Sequence, residues 1–432
     1  AGKVVTALSG LAVSALLARL LTPEEMGAYF LTFSLVSVAA IVAQLGLTQT
    51  IVRLVAESMG TDRPGRARQS VILVLRLAGF SGLVVACLLA FGAGQWIAEH
   101  LFKSEIVANV MGLAAVWLVI ITFQSLMAEV YRGFHDIRLA TIFGGLATSL
   151  ISMMLFLALW VMQGKSDLDQ IILLTVVTGF VTLFLSGFIL RWKIDKLPLS
   201  TDDPITVSET MRISWPLWVS QLMVFVVLHA DVWIVGALLS KEDVALYGTA
   251  IRLVTVLMMT TTVFYSFMPP IISELKAKNE LLQLQAILTT STFGNAMLVL
   301  PVFLCFVFFS APILGYVYGA YYVNASSILS VLAISFFFNV ITGMRGIVLM
   351  LTGYEKIQML ISIAGGVMNV SFCVLGAWHL GLIGVAYGAM VGVIIQAIME
   401  LIAVKRILGI WTFATPVHMK EFKRIFAKKQ VI

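Results

Sequence analysis

Three arginines stand inside otherwise apolar runs: Arg76, Arg252 and Arg345 have no Asp or Glu three or four positions away on either side. A guanidinium stays charged, so in an apolar medium each needs water, a distant carboxylate or an anion, and its planar fork matches phosphate oxygens with paired hydrogen bonds. Arg19 is a fourth, with Glu24 and Glu25 near it in sequence and a stem long enough to reach an interface. Asp231 is the carboxylate that stands well inside an apolar run. A buried carboxylate can exchange a proton or hold sodium, and one beside a guanidinium serves instead as its counter-ion; Arg252 and Arg19 are the candidate partners. His229, two positions from Asp231, falls on another helical face. Cys87, Cys305 and Cys373 show no paired spacing, so neither a disulfide framework nor a zinc site is expected. There is no Walker motif and no loop cluster of His, Asp and Glu, so no cofactor or metal is expected beyond a coupled proton or sodium ion.

The elements that must position these groups follow from composition. Of 432 residues, 60% are hydrophobic and 12% charged, against about 25% charged in soluble proteins. Such a chain cannot coat a water-soluble globule, and soluble enzymes and nucleic-acid binders are excluded. Twelve apolar stretches are long enough to cross a bilayer, near residues 3–21, 26–48, 70–92, 106–127, 139–161, 170–191, 213–239, 244–268, 286–309, 325–350, 357–378 and 382–404. The first lacks a small-residue cleavage site after a short apolar region and reads as a retained helix. Numbering alternate loops, 21 of the 28 basic residues fall on one side, four on the other, and three within spans. The expected fold is an all-α polytopic membrane protein of 12 transmembrane helices with both termini cytoplasmic.

Shifting the second half by 218 residues lays Leu20–Val38 on Leu238–Val256 without a gap, with seven of 19 positions identical and the polar corner TPEE on SKED. At a shift of 220, YRGFHDI (131–137) falls on LTGYEKI (351–357). These matches predict two six-helix lobes, residues 1–192 and 213–404, joined by a cytoplasmic linker at 193–212 and followed by a basic tail at 405–432. The tail suits an interfacial helix on anionic lipid or a frayed basic end. An even number of spans per lobe gives a parallel repeat, an arrangement that commonly binds substrate between its halves and exposes it alternately. Polar stripes recur within the spans: Arg252, Thr255, Thr262 and Ser266 on the eighth; Ser34, Ser37, Gln44 and Thr48 on the second; Ser335, Asn339, Thr342 and Arg345 on the tenth. The expectation is that these faces line one hydrated cavity, the alternative being polar contacts between packed helices.

The segments ARLLTPEEMGAYFLTFSLVSVAAIVAQLGLTQTIVRLVAE, YRGFHDI and HADVWIVGALLSKEDVALYGTAIRLVTV, followed by Met268-Pro269-Pro270, resemble the polysaccharide repeat-unit flippases. These O-antigen and exopolysaccharide translocases belong to the multidrug/oligosaccharidyl-lipid/polysaccharide exporter superfamily. The resemblance implies a V of two six-helix lobes in a bacterial cytoplasmic membrane. It further implies transfer of an undecaprenyl-diphosphate-linked oligosaccharide to the outer leaflet by alternating access, with a cationic cavity holding the diphosphate and sugar. Two spans typical of the lipid II flippase branch are absent, which argues against that substrate. Arg19, Arg252 and Asp231 are the residues carried over by position; Arg345, Arg76, Ser34, Gln44, Thr255, Thr262 and Asn339 join them as candidate cavity groups. Expected partners are the lipid-linked glycan and membrane lipid, with a glycan polymerase and glycosyltransferases as further candidates and no nucleic acid; the expected state is a monomer. The competing readings are a small-molecule or drug antiporter of the same superfamily, which would favour cavity carboxylates, and a membrane-embedded polysaccharide ligase or acyltransferase, for which the outer loops are short.

Overall fold

Backbone groups inside hydrocarbon must be satisfied within their own segment or a closed barrel. The computed structural model describes residues 2–199 and 204–415, and among them it contains helices and no strand. Side chains at 223–229, 259–260 and 262–267, with a few others, lie outside the described residues, as does the tail beyond 415. The helices used below are α1 (Gly2–Leu20), α2 (Pro23–Gln44), α3 (Leu47–Gly60), α4 (Pro64–Phe91), α5 (Met111–Gly133), α6 (Ile137–Gln163) and α7 (Leu168–Asp195). After the linker come α8 (Val207–Leu238), α9 (Lys241–Ala277), α10 (Leu281–Phe308), α11 (Ser326–Thr342), α12 (Arg345–Leu351) and α13 (Glu355–Leu408).

Each of the twelve predicted spans is helical over most of its length. Eight helical stretches among the described residues are long and apolar enough to cross a bilayer, and α13 is two spans in one. Straight, its 54 residues would reach about 81 Å, far beyond a hydrocarbon core of about 30 Å. It folds back at Gly381, whose φ of 63° and ψ of −141° suit glycine alone. The two arms then touch through glycine: a Cβ on Gly376 would meet the backbone of Gly384, and one on Gly384 the backbone of Gly376. Small residues let helix backbones approach where no hydrophobic effect drives them together.

Two spans are shorter than their apolar runs. The second ends at Gln44, where Leu45 and Gly46 both turn left-handed and start α3. That helix is amphipathic: Leu47, Ile51 and Val55 enter a core with Val71, Val74, Leu126 and Val130, while Arg53 and Glu57 stay exposed. Thr48 therefore lies on α3 and not on the helix of Ser34. The tenth span breaks at Gly343, φ 77°, so Arg345 opens a separate short helix. At the end of α5, Arg132 pairs with Glu129 at 2.6 Å, as the i, i+3 spacing predicts.

By contacts the chain divides into two units, Ala1–Ala245 and Leu246–Ile432, so α8 groups with unit 1. It runs antiparallel to α2, with Trp233 Nε1 donating to Ser34 Oγ at 2.7 Å and Trp218 Nε1 to the Ile41 carbonyl at 3.1 Å. In unit 2, α11 packs on α10 and α13.

The internal repeat is visible in local geometry. Thr22 accepts from the Glu25 amide while Glu25 accepts from the Thr22 amide. Ser240 and Asp243 repeat this reciprocal capping 218 residues later. Positive-φ residues recur 216 to 218 positions apart as well: Asp62 with Asn279, Lys103 with Gly319, His135 with Gly353, Gly164 with Gly381. At the third of these corners the Asp136 amide bonds to the Tyr131 carbonyl and the Tyr354 amide to the Leu349 carbonyl, both at 2.9 Å. The corner thus repeats at 218, and the alignment of YRGFHDI at 220 is corrected by two residues.

Candidate functional site

Arg345 is the cavity candidate that the structure relocates most. It is 5% exposed, and its Nε lies 2.9 Å from Glu400 Oε2. Its other nitrogens donate to the Thr342 hydroxyl at 2.6 Å, the Gly343 carbonyl at 3.0 Å and the Asn339 amide oxygen at 3.2 Å. Glu400 is equally committed, its Oε1 accepting from Gln358 at 2.7 Å and Gln396 at 3.0 Å. The break after Thr342 leaves carbonyls without helical partners. The guanidinium meets one of them, Thr412 Oγ1 donates to the Thr342 carbonyl at 2.9 Å, and the Ala414 amide donates to the Ile341 carbonyl at 2.7 Å. A cation at the carboxyl end of α11 also complements the helix dipole. The expectation of an open Arg345 is therefore corrected: it is enclosed in a clasp to which half-buried Asn339 contributes its amide oxygen.

Glu400 is the residue sequence reasoning passed over. It lies inside the twelfth span, so Asp231 is not alone as an intramembrane carboxylate. Its partner is 55 positions away, beyond any local spacing rule; its own isolation in an apolar run was the available signal.

Other candidates divide between the units. In unit 1, Ser34 is buried and spends its hydroxyl on Trp233, and Gln44 is buried. Arg19 is exposed with its guanidinium 5.8 Å from the centre of the Trp160 ring. Asp231 is half-buried, and its Oδ1 accepts from the Val232 amide at 2.8 Å. In unit 2, Arg252 is half-buried, and exposed Thr255 donates back to its carbonyl at 2.6 Å. The side chains of Thr262, Ser266 and His229 lie outside the described residues. Arg19, Arg252 and Asp231 each have a partner within the protein, so the picture of unpaired arginines narrows.

Arg76 is what remains of that picture. It is exposed, and among the described residues it makes no hydrogen bond or ion pair. It lies about 18 Å from one end of α4 and about 22 Å from the other, at mid-depth for a spanning helix. The positions one and two turns on, Phe80 and Val84, are exposed on the same face. A fixed charge there, with apolar groups continuing its stripe, can grip an anion whose remainder is hydrocarbon.

Residues 1–276 match the polysaccharide biosynthesis protein family, well over half of the chain. The chain belongs to that family. Residues 216–375 also match the MatE family. A relative in Haloferax volcanii, a probable low-salt glycan biosynthesis flippase, Agl15, is 24% identical over 323 residues. The match covers 73% of this chain and 63% of the relative, so less than two thirds of that protein's length is represented. Among solved structures, the inward-facing form of a multidrug resistance MATE family transporter of the MOP superfamily superposes with a TM-score of 0.79 at 17% identity, covering 94% of each chain. The lipid II flippase MurJ, in an inward closed conformation, superposes with a TM-score of 0.71 at 16% identity, covering 94% of this chain and 86% of that one. Family and fold together make this an all-helical, multi-pass membrane protein that shares the twelve-helix, two-lobe fold of these two structures.

Proposed function

We propose that this chain is a flippase moving an undecaprenyl-diphosphate-linked oligosaccharide from the cytoplasmic to the outer leaflet of a bacterial cytoplasmic membrane, by alternating access and with both termini cytoplasmic. Family membership and the glycan flippase relative support the substrate class; the observation that carries the mechanism is Arg76. An exposed guanidinium at mid-depth is costly against lipid alone, and a lipid diphosphate supplies both its counter-ion and, through the polyprenyl chain, a match to Phe80 and Val84. Arg252 is the second phosphate contact, and Asp231 the group through which a proton or sodium gradient drives the cycle. Glycosyltransferases supply the loaded carrier and a polymerase consumes it; the chain itself transports and does not catalyse.

The test is a reconstituted flipping assay with a fluorescent undecaprenyl-diphosphate oligosaccharide. Arg76→Ala removes a charge-assisted contact and should slow flipping by about tenfold or more. Arg76→Lys, which keeps charge without the fork, should fall between. An unchanged rate in Arg76→Ala overturns the assignment. The MatE match favours a second reading, export of a small molecule or drug by antiport, for which ethidium is a probe. Ethidium efflux that competes with flipping would support it, whereas efflux absent in the same vesicles disposes of it.

A further inference from the structure

A cleft of about 520 Å³ opens in unit 1 between the α1–α2 corner, the α6–α7 loop and the short helix Glu105–Asn109. Its walls are held by backbone: the Ser166 amide donates to the Leu20 carbonyl at 3.0 Å, pinning the loop across the end of α1. Ser166 Oγ donates to Gln170 Oε1 at 2.7 Å, which orients that amide with its NH2 group unspent. Asp167 caps α7 by position but makes no side-chain cap bond. Glu24, Lys165 and Asp167 share the cleft, yet among the described residues their side chains form no ion pair or hydrogen bond.

The wall therefore presents unspent acceptors on exposed Glu24 and Asp167 beside donors on exposed Lys165 and on Gln170, whose amide Ser166 orients. Donors and acceptors interleaved along one cleft match a polyhydroxylated ring, whose every hydroxyl both donates and accepts. Three carboxylates, counting Glu25, against one ammonium make the cleft net negative, which repels phosphate and uronate groups. No group of three or more His, Cys, Asp or Glu side chains among the described residues is placed to hold a metal, so the carboxylates do not assemble a cation site.

We propose that this cleft binds neutral saccharide rings and rejects acidic ones. The inference rests on the flippase reading for its sidedness: charge distribution assigns the α1–α2 corner to the outer face, where the sugar of a delivered lipid-linked glycan would be held apart from its diphosphate.

The full chain in lipid nanodiscs should give saturation-transfer NMR signals with free lactose or diacetylchitobiose, and none with digalacturonic acid. Asp167→Ala together with Gln170→Ala should weaken the neutral sugars by about tenfold or more. These side chains make no fold-spanning contact, and Lys165→Ala, tested separately, should act in the same direction. Absence of signal from both neutral disaccharides, equal binding by the variants, or equal binding of digalacturonate each overturns the proposal. The flipping assay separates the two readings. A chain that flips lipid-linked glycan without a substitution-sensitive sugar signal loses the cleft alone, and one that binds sugar without flipping loses the transport reading alone.

Discussion

Arg345 and Glu400 show how one residue changes meaning between sequence and structure. Removing one member of a buried ion pair strands the other, at a cost of about 3–5 kcal/mol. Arg345→Ala should therefore lower the melting temperature and the yield of folded protein, and Arg345→Met with Glu400→Met should recover much of the loss. A variant as stable as the parent would show that the clasp does not hold the break after Thr342. Asp136 makes a contrasting pair at the α5–α6 corner, 2.9 Å from Lys193, and the lysine holds its carboxyl below the usual carboxylate range. A depressed folded-state value means that the pair stabilises above the unfolded value and is lost as pH falls through the folded one, so the effect fades below about pH 4. Asp136→Asn should flatten the melting temperature across that window; parallel profiles for the two proteins would refute the linkage. Neither pair is visible to rules of helical spacing, because their members lie 55 and 57 positions apart.

Among the elements, the arms of α13 depend on backbone contact at Gly376 and Gly384. Gly384→Ala puts a methyl group where the Gly376 backbone already lies and should reduce thermal stability sharply. Gly82→Ala is the matched control: nothing lies within 4 Å of its added Cβ, so the helical gain of about 0.5–1 kcal/mol should leave stability equal or slightly higher. Similar melting for both variants would remove close packing as the reason for the glycine. Helix positions were legible in advance because hydrocarbon demands a run of about 20 apolar residues and little else. The breaks at Leu45-Gly46 and Gly343 were not, since both lie inside apolar runs. The first is set by α3 finding an apolar face to cover, the second by carbonyls finding Arg345, Thr412 and Ala414.

For the whole molecule, the distribution of basic residues makes a claim that labelling can check. In a cysteine-free background, single cysteines at Asp62 and Asn279 should react with an impermeant maleimide only from the cytoplasmic side, and those at Lys165 and Ser240 only from outside. A cytoplasmic-set cysteine and an outer-set cysteine that react from the same side would break the assigned topology. The sequence by itself determined the membrane class, the helix count, the duplication at 218 residues and the capped corners. Each depends on the solvent an apolar run requires or on bonds between residues three to five apart. Tertiary structure alone decided which charges were already answered: it enclosed Arg345 with Glu400, set Ser34 against Trp233, and left Arg76 on an exposed face. Whether a charge is satisfied depends on what folding brings beside it from distant parts of the chain, and periodicity along one helix carries no record of that neighbour.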